Sequence, residues 1–239
     1  MLNPGAGECL AALHRNGRKI AFITNNSRAW GNDLRDRLHR LGVTAAEIVL
    51  SPLEIIGQVV VEQFGPSRVL VIGAKDLADA VARHGHEIIE VKHYRDADVL
   101  VVGNDFDLTY ERLTVAARVA AAGKPFVTPN VDSRMPIEGG DFLPGCGAIV
   151  AAVSAASGVR PIVVGKPDPP LFRIALRRMG VEASRAAMVG DSVPSDIGGG
   201  IAAGMKTVLY APDGAPGDRG GADVVIRSFA ELARLAGVA

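Results

Sequence analysis

The chain has 239 residues, enough for one large domain or two small ones around a buried core. Its 48% apolar content with only 5% aromatic residues points to an interior of Ala, Val, Leu and Ile, as in α/β proteins. Lys plus Arg balance Asp plus Glu at 26 each, so the zero net charge gives no electrostatic reason to expect nucleic acid or an anionic membrane as partner.

Residues 5–16 read as a helix with Leu10 and Leu13 on one face, stopped by Gly17. A short apolar strand follows over Arg18–Thr24, RKIAFIT, then Asn25-Asn26-Ser27 and a polar helix over 30–41. Glu47–Leu50 is the next strand. Further strands are expected near 68–73, 87–91, 98–103, 124–128, 161–165, 186–190, 206–211 and 223–226, with helices between most of them. Such alternation implies βαβ units and parallel sheet. Roughly ten strands are too many for one comfortable twisted sheet, so two sheets are expected. The cuts at Ser51-Pro52 and near Gly158–Pro161 make 51–160 an insertion within a core of 1–50 and 161–239.

Cys9 and Cys146 match no metal spacing and read as small buried hydrophobes. No signal peptide precedes the first helix and no apolar run is long enough to cross a bilayer, so a soluble, cytoplasmic protein is expected. His84 and His86 flank Gly85 in what reads as an exposed turn, where a solvated turn is favoured over a zinc site. No G-x-S-x-G elbow, G-x-G-x-x-G fingerprint or Walker A loop is present.

Three strand ends carry the chemistry. In MVGDSVPSDIGGG, an apolar run ends at Gly190-Asp191, with Asp196 following five residues later beside a Gly/Ala-rich helix. Two carboxylates at the carboxyl end of a strand suit a hard cation such as Mg²⁺, and that end is where open α/β sheets bind ligands. A turn with Ser195 or Asp196 as helix cap is the plain alternative. Thr24, with the backbone N–H groups of Asn25 and Asn26, can hold a phosphate, although helix capping accounts for the same residues. Lys166 ends another apolar strand before Pro167, where an ammonium can neutralise phosphate and carboxylate oxygens or simply lie in solvent.

The order of these pieces resembles the haloacid dehalogenase superfamily of phosphatases. FITNNS looks like its second motif, Lys166 in VGKPDPPLF its third, and GDSVPSD its fourth. TNN and PGAGECLAALHRNG are similar to the subgroup of NagD-like phosphatases and 4-nitrophenylphosphatases, which carries a large inserted α/β cap. The resemblance implies a three-layer Rossmann-like parallel core, Mg²⁺ as cofactor and a small phosphorylated metabolite as substrate, with homodimerisation through the cap. It implies that Thr24, Asn25 and Asn26 bind phosphate, that Lys166 steadies the nucleophile and the transferring group, that Asp191 ligates Mg²⁺ and that Asp196 supports that sphere. In FVTPNVD, Asn130 and Asp132 match substrate-facing cap positions, with Pro129 and Val131 departing from the usual residues.

The family attacks phosphorus with an aspartate of an Asp-x-Asp-Gly motif on a strand before the PGA segment. This sequence contains no Asp-x-Asp-Gly. Asp105-Phe106-Asp107 copies part of the motif, but Gly103-Asn104 separates it from its strand and it lies in the expected insertion. The resemblance therefore implies a nucleophile on an upstream strand of a longer chain, and little activity from the 239 residues alone. In the family that strand lies between those of Thr24 and Asp191, and without it two strand edges have unpaired backbone groups. A phosphate-binding pseudoenzyme is the alternative reading, and a Rossmann-type oxidoreductase ranks last.

Overall fold

The computed structural model describes residues 2–214, 217 and 219–238. The chain forms two compact units: Met1–Thr24, Ala29–Leu50 and Lys166–Ala239 make the first, Asn25–Arg28 and Ser51–Gly165 the second.

The first unit opens with α1 (Ala6–Arg15), β1 (Ala21–Ile23), α2 (Gly31–Arg40) and β2 (Ile48–Leu50). β1 and β2 pair in parallel, Phe22 opposite Val49, and Thr24 N–H extends the ladder to Leu50 O at 3.1 Å. Their apolar side chains pack with Leu10 of α1 and with Leu34 and Leu38 of α2, around buried Val43 and Ala46.

Chain order then passes through the second unit: α3 (Pro52–Phe64), β3 (Arg68–Ile72), α4 (Lys75–Ala82), β4 (Glu87–Ile89), β5 (Val99–Val102), α5 (Tyr110–Ala121), β6 (Phe126–Thr128), β7 (Arg134–Pro136), β8 (Phe142–Pro144), α6 (Cys146–Ser157) and β9 (Ile162–Val163). Ser51 starts α3, its Oγ accepting from Glu54 N–H at 3.2 Å with Pro52 at the first helical position. Five parallel strands run in the order β4-β3-β5-β6-β9. β5 is buried at every residue, as a central parallel strand covered on both faces must be, which is why VLVV shows no polar alternation. Leu70, Ile72, Leu100 and Val102 share one face with Val115 and Val119 of α5 and Val150 and Val153 of α6.

The first unit resumes with α7 (Pro169–Met179), β10 (Ala187–Gly190), α8 (Gly198–Ala202), β11 (Lys206–Tyr210), β12 (Val224–Ile226) and α9 (Phe229–Leu235). β10, β11 and β12 form a second parallel sheet in that order. Cys9 lies in the cluster that joins α1, α9 and this sheet, around Val208, Ile226 and Leu232.

Every strand expected from the sequence has a counterpart, but their grouping differs. Among the described residues four sheets form rather than two. The strand near 161–165, expected in the core, pairs with β6 in the five-stranded sheet, Val127 opposite Ile162 and Thr128 opposite Val163. Its apolar residues cover the otherwise open edge of β6, and the compact division falls at Gly165/Lys166. The hairpin β7–β8 was not expected, because three-residue strands with Pro136 and Pro144 carry no periodic signal. His86 is not in a solvated turn: it is buried, accepts from Ser67 N–H at Nδ1 (3.2 Å) and bonds Gly57 O through Nε2 (3.0 Å). Both cysteines are free and buried. Among the described residues no helix is long and apolar enough to cross a membrane.

Candidate active site

Within the first unit the sequence motifs converge at Lys166. Its Nζ lies 2.6 Å from Asp196 Oδ1 and donates to Ile23 O at 3.4 Å, so one ammonium links the end of β1 to the turn after β10. The two side chains are only 11% and 5% exposed. Asp196 Oδ2 accepts from Ser192 N–H at 3.1 Å, so both carboxylate oxygens are engaged. A single π turn, Val193–Ile197, carries Asp196 back over the strand end, with Ser192 Oγ accepting from Ser195 N–H at its start. Gly190 is what permits this return, because a β-carbon there would overlap the Asp196 carboxylate. The Lys166–Pro167 peptide is cis.

Asp191 follows β10 directly and is exposed. Among the described residues no group of three or more His, Cys, Asp and Glu side chains is disposed to hold an ion. A lone carboxylate is compatible with Mg²⁺, which keeps several waters and takes one or two carboxylates plus substrate phosphate oxygens. Asp191 would hold it, since Asp196 is already occupied by Lys166 and Ser192. Asp168, which begins α7 two residues beyond Lys166, makes no capping bond through its side chain, and partial burial raises its carboxyl above the usual aspartate range.

In the second unit the loop Asn25–Arg28 is tied to the loop after β6. Asn130 is buried, donates through Nδ2 to Asn25 O at 2.7 Å and accepts from Asp132 N–H at 3.3 Å. Its side chain thus fixes the Asn25–Arg28 segment, and Asp132 is exposed. Asn26 Oδ1 accepts from Arg28 N–H at 3.0 Å, a side-chain turn that fixes the same loop. Gly147 N–H donates to Asp132 O at 2.9 Å and anchors the 130–132 loop on α6. The Asp105 carboxylate pairs with Arg112 Nε at 2.7 Å and accepts from Asp107 N–H at 3.1 Å, which makes it a loop staple rather than an attacking group. The i+2 bonds of Asn130 and Asp105 are local side-chain turns, but their partners Asn25 O and Arg112 are not signalled by local sequence pattern.

A carboxylate-bound lysine and an exposed aspartate at the carboxyl ends of parallel strands form a site suited to phosphoryl groups. Sequence models of known families agree with that chemistry. The haloacid dehalogenase-like hydrolase model matches residues 1–87, and a second HAD-hydrolase-like model matches 163–232. An acid sugar phosphatase of Staphylococcus epidermidis is 34% identical over 206 residues, 85% of this chain and 78% of the relative. The p-nitrophenyl phosphatase from Archaeoglobus fulgidus superposes with a TM-score of 0.83 at 28% identity, covering 98% of this chain and 92% of the other. The 4-nitrophenylphosphatase from Thermotoga maritima gives 0.83 at 30% identity, over 98% and 90%. The chain belongs to the haloacid dehalogenase-like hydrolase superfamily. Within it, the chain falls in the NagD-like branch of phosphatases.

Proposed function

We propose that the protein is a Mg²⁺-dependent phosphomonoesterase for small phosphorylated metabolites. The observation that carries this reading is the nearly buried Lys166–Asp196 pair, which joins the ends of β1 and β10 where a phosphoryl group would sit. Thr24 and the N–H groups of Asn25 and Asn26 bind the phosphoryl oxygens, and Lys166 offsets their charge in the transition state. Asp191 would hold Mg²⁺, which would supply further charge neutralisation when bound. A carboxylate attacks phosphorus in line as the ester oxygen departs and takes up a proton, and water then cleaves the aspartyl-phosphate to return carboxylate and phosphate. Asn130 and Asp132 shape the substrate side in the inserted unit. The acid sugar phosphatase relative supports a sugar phosphate as substrate. Buried free cysteines are compatible with a reducing cytoplasm, and pairing of inserted units is the proposed assembly.

The attacking carboxylate belongs, in this reading, to a strand seated between β1 and β10. Each of these is an edge strand of its own sheet, and Lys166 already joins their ends. A peptide there would complete one sheet and satisfy both rows of backbone groups. A non-catalytic phosphate binder built on Thr24, Lys166 and Asp191 is the second reading.

The test compares phosphate release from p-nitrophenyl phosphate by the 239-residue chain and by a form extended upstream with an Asp-x-Asp-Gly strand. Mg²⁺-dependent turnover is expected only from the extended form, and Lys166→Met abolishes it. Clear turnover by the shorter form overturns the upstream nucleophile. Thermal stabilisation by phosphate with no turnover from either form establishes the binder instead.

A further inference from the structure

Within the first unit, the connection from β11 to β12 packs on the turn that carries Asp196. These strands are parallel neighbours, so residues 211–223 return along the sheet between them. Near the end of that return the backbone lies against the π turn Val193–Ile197. Gly220 has a left-handed backbone, φ +59°. A β-carbon there would come 2.4 Å from Val193 Cγ1, 3.6 Å from Val193 Cβ and 3.7 Å from Ile197 Cγ2. Ala222, two residues on, joins Val193 and Val225 in packing against the buried cluster of Ile197, Leu209 and Ala211.

The turn itself is of an uncommon kind. Ser192 O accepts from both Asp196 N–H (2.8 Å) and Ile197 N–H (3.2 Å), and the second of these is the wide closure of a π turn. Its far end is fixed, because Ile197 is fully buried and Asp196 is bound to Lys166. Its near end is Val193, which is half-buried and stands two residues beyond the exposed Asp191. Two residues span at most about 7 Å, so a shift of Val193 is passed to Asp191. Gly220 occupies the space against Val193 with backbone alone.

We propose that Gly220 is a positioning residue for Asp191: by the room it leaves for Val193 it sets the turn, and so holds the Asp191 carboxylate where it can take a divalent cation. The inference rests on the phosphatase reading, in which Asp191 holds Mg²⁺, and extends it to a residue outside every motif of the site. Gly220 acts through packing, so the space beside Val193 is what matters. A methyl added at 220 overfills that space, and methyls removed from 193 leave it empty. Making both changes refills it, because a β-carbon at 220 lies at ordinary contact distance, 3.6 Å, from Val193 Cβ.

The test titrates the 239-residue chain with Mn²⁺, an EPR-visible substitute for Mg²⁺, at a fixed concentration of inorganic phosphate. The ion assigned to the site is the part lost in Asp191→Asn. Gly220→Ala and Val193→Ala are each expected to weaken that binding by roughly 10-fold, as loss of a group behind a metal ligand does. The double variant should regain most of the wild-type affinity, a coupling that marks the two residues as one contact. Its melting temperature should stay below wild type, because alanine at φ +59° remains strained. Affinity thus recovers where stability does not, a split that a merely structural role would not give. Gly237→Ala, also at positive φ but with nothing within 4 Å of the added β-carbon, should lower stability and leave Mn²⁺ binding unchanged. Unchanged binding in Gly220→Ala, a double variant that stays weak, or weakened binding in Gly237→Ala overturns the proposal. If Gly220→Ala fails to fold, unchanged binding in Val193→Ala overturns it instead. When wild type binds Mn²⁺ through Asp191 and the variants do not differ from it, only this inference is lost. If wild type binds none, the metal site of the phosphatase reading falls and takes the inference with it.

Discussion

Replacing Asp196 with Asn tests the arrangement of the site without adding bulk. The native carboxylate accepts from two groups at once, Lys166 Nζ through Oδ1 and Ser192 N–H through Oδ2. An amide has one acceptor oxygen, so one of those two bonds is lost. Losing a charge-assisted bond in a site this enclosed costs about 1–3 kcal/mol. The remaining bond to Lys166, if kept, loses its charge assistance, worth roughly another 1 kcal/mol. The sum is about 2–4 kcal/mol, below the roughly 3–5 kcal/mol of removing one partner of a buried pair outright, as Asp196→Ala would. For a chain of this size that is a fall of about 5–15 °C in the transition of the first unit. Differential scanning calorimetry in low and high salt measures it, and the effect should persist in 1 M salt because the pair is nearly buried. Melting within 1 °C of wild type would refute the double engagement of Asp196, and with it the bridge from β1 to β10.

Three further outcomes follow from other contacts. Gly190→Ala should destabilise the first unit by about 1–3 kcal/mol, and most of that loss should vanish in an Asp196→Gly background, since the added methyl meets Asp196 Oδ2, Cγ and Cβ; additive losses in a double-mutant cycle would contradict this. His86→Leu should lower the melting temperature of the second unit, leaving Ser67 N–H without its partner at roughly 1–3 kcal/mol and removing a second bond from Gly57 O, with no change in phosphate binding by the first unit. Asp223 and Asp98 are both held below the usual aspartate range, Asp223 chiefly by the Thr207 N–H and hydroxyl and Asp98 by the Arg68 guanidinium and N–H. Because these folded-state values lie below the unfolded ones, their stabilisation is present above the ordinary aspartate range and is lost as pH falls through the depressed values. Asp223→Asn should therefore flatten the acid limb of a stability–pH curve measured by urea unfolding, and an unchanged limb would count against the Thr207 contacts.

Much of the fold was legible in one dimension because strand and helix are local properties. RVLVI and VLVV announce buried strands by composition, whereas the helix caps of Ser51 and Thr109 emerge from the structure. The order of TNN, Lys166 and Asp191 likewise placed candidate groups at strand ends before any coordinates. His86 was misread because a His-Gly-His turn looks solvated, whereas its two partners lie 19 and 29 residues away. Asn130 could be named but not given its role, since its partner Asn25 is 105 residues distant.

The sequence by itself determined which segments are strands, that they alternate with helices, and that a lysine and two aspartates stand at strand ends. Only the tertiary structure decided which strand pairs with which: that β9 joins β6, that β1–β2 and β10–β11–β12 form separate sheets, and that Lys166 joins their ends. The physical reason is range. Backbone preference and side-chain periodicity act over a few residues, while edge pairing and buried ion pairs depend on groups brought together from distant parts of the chain.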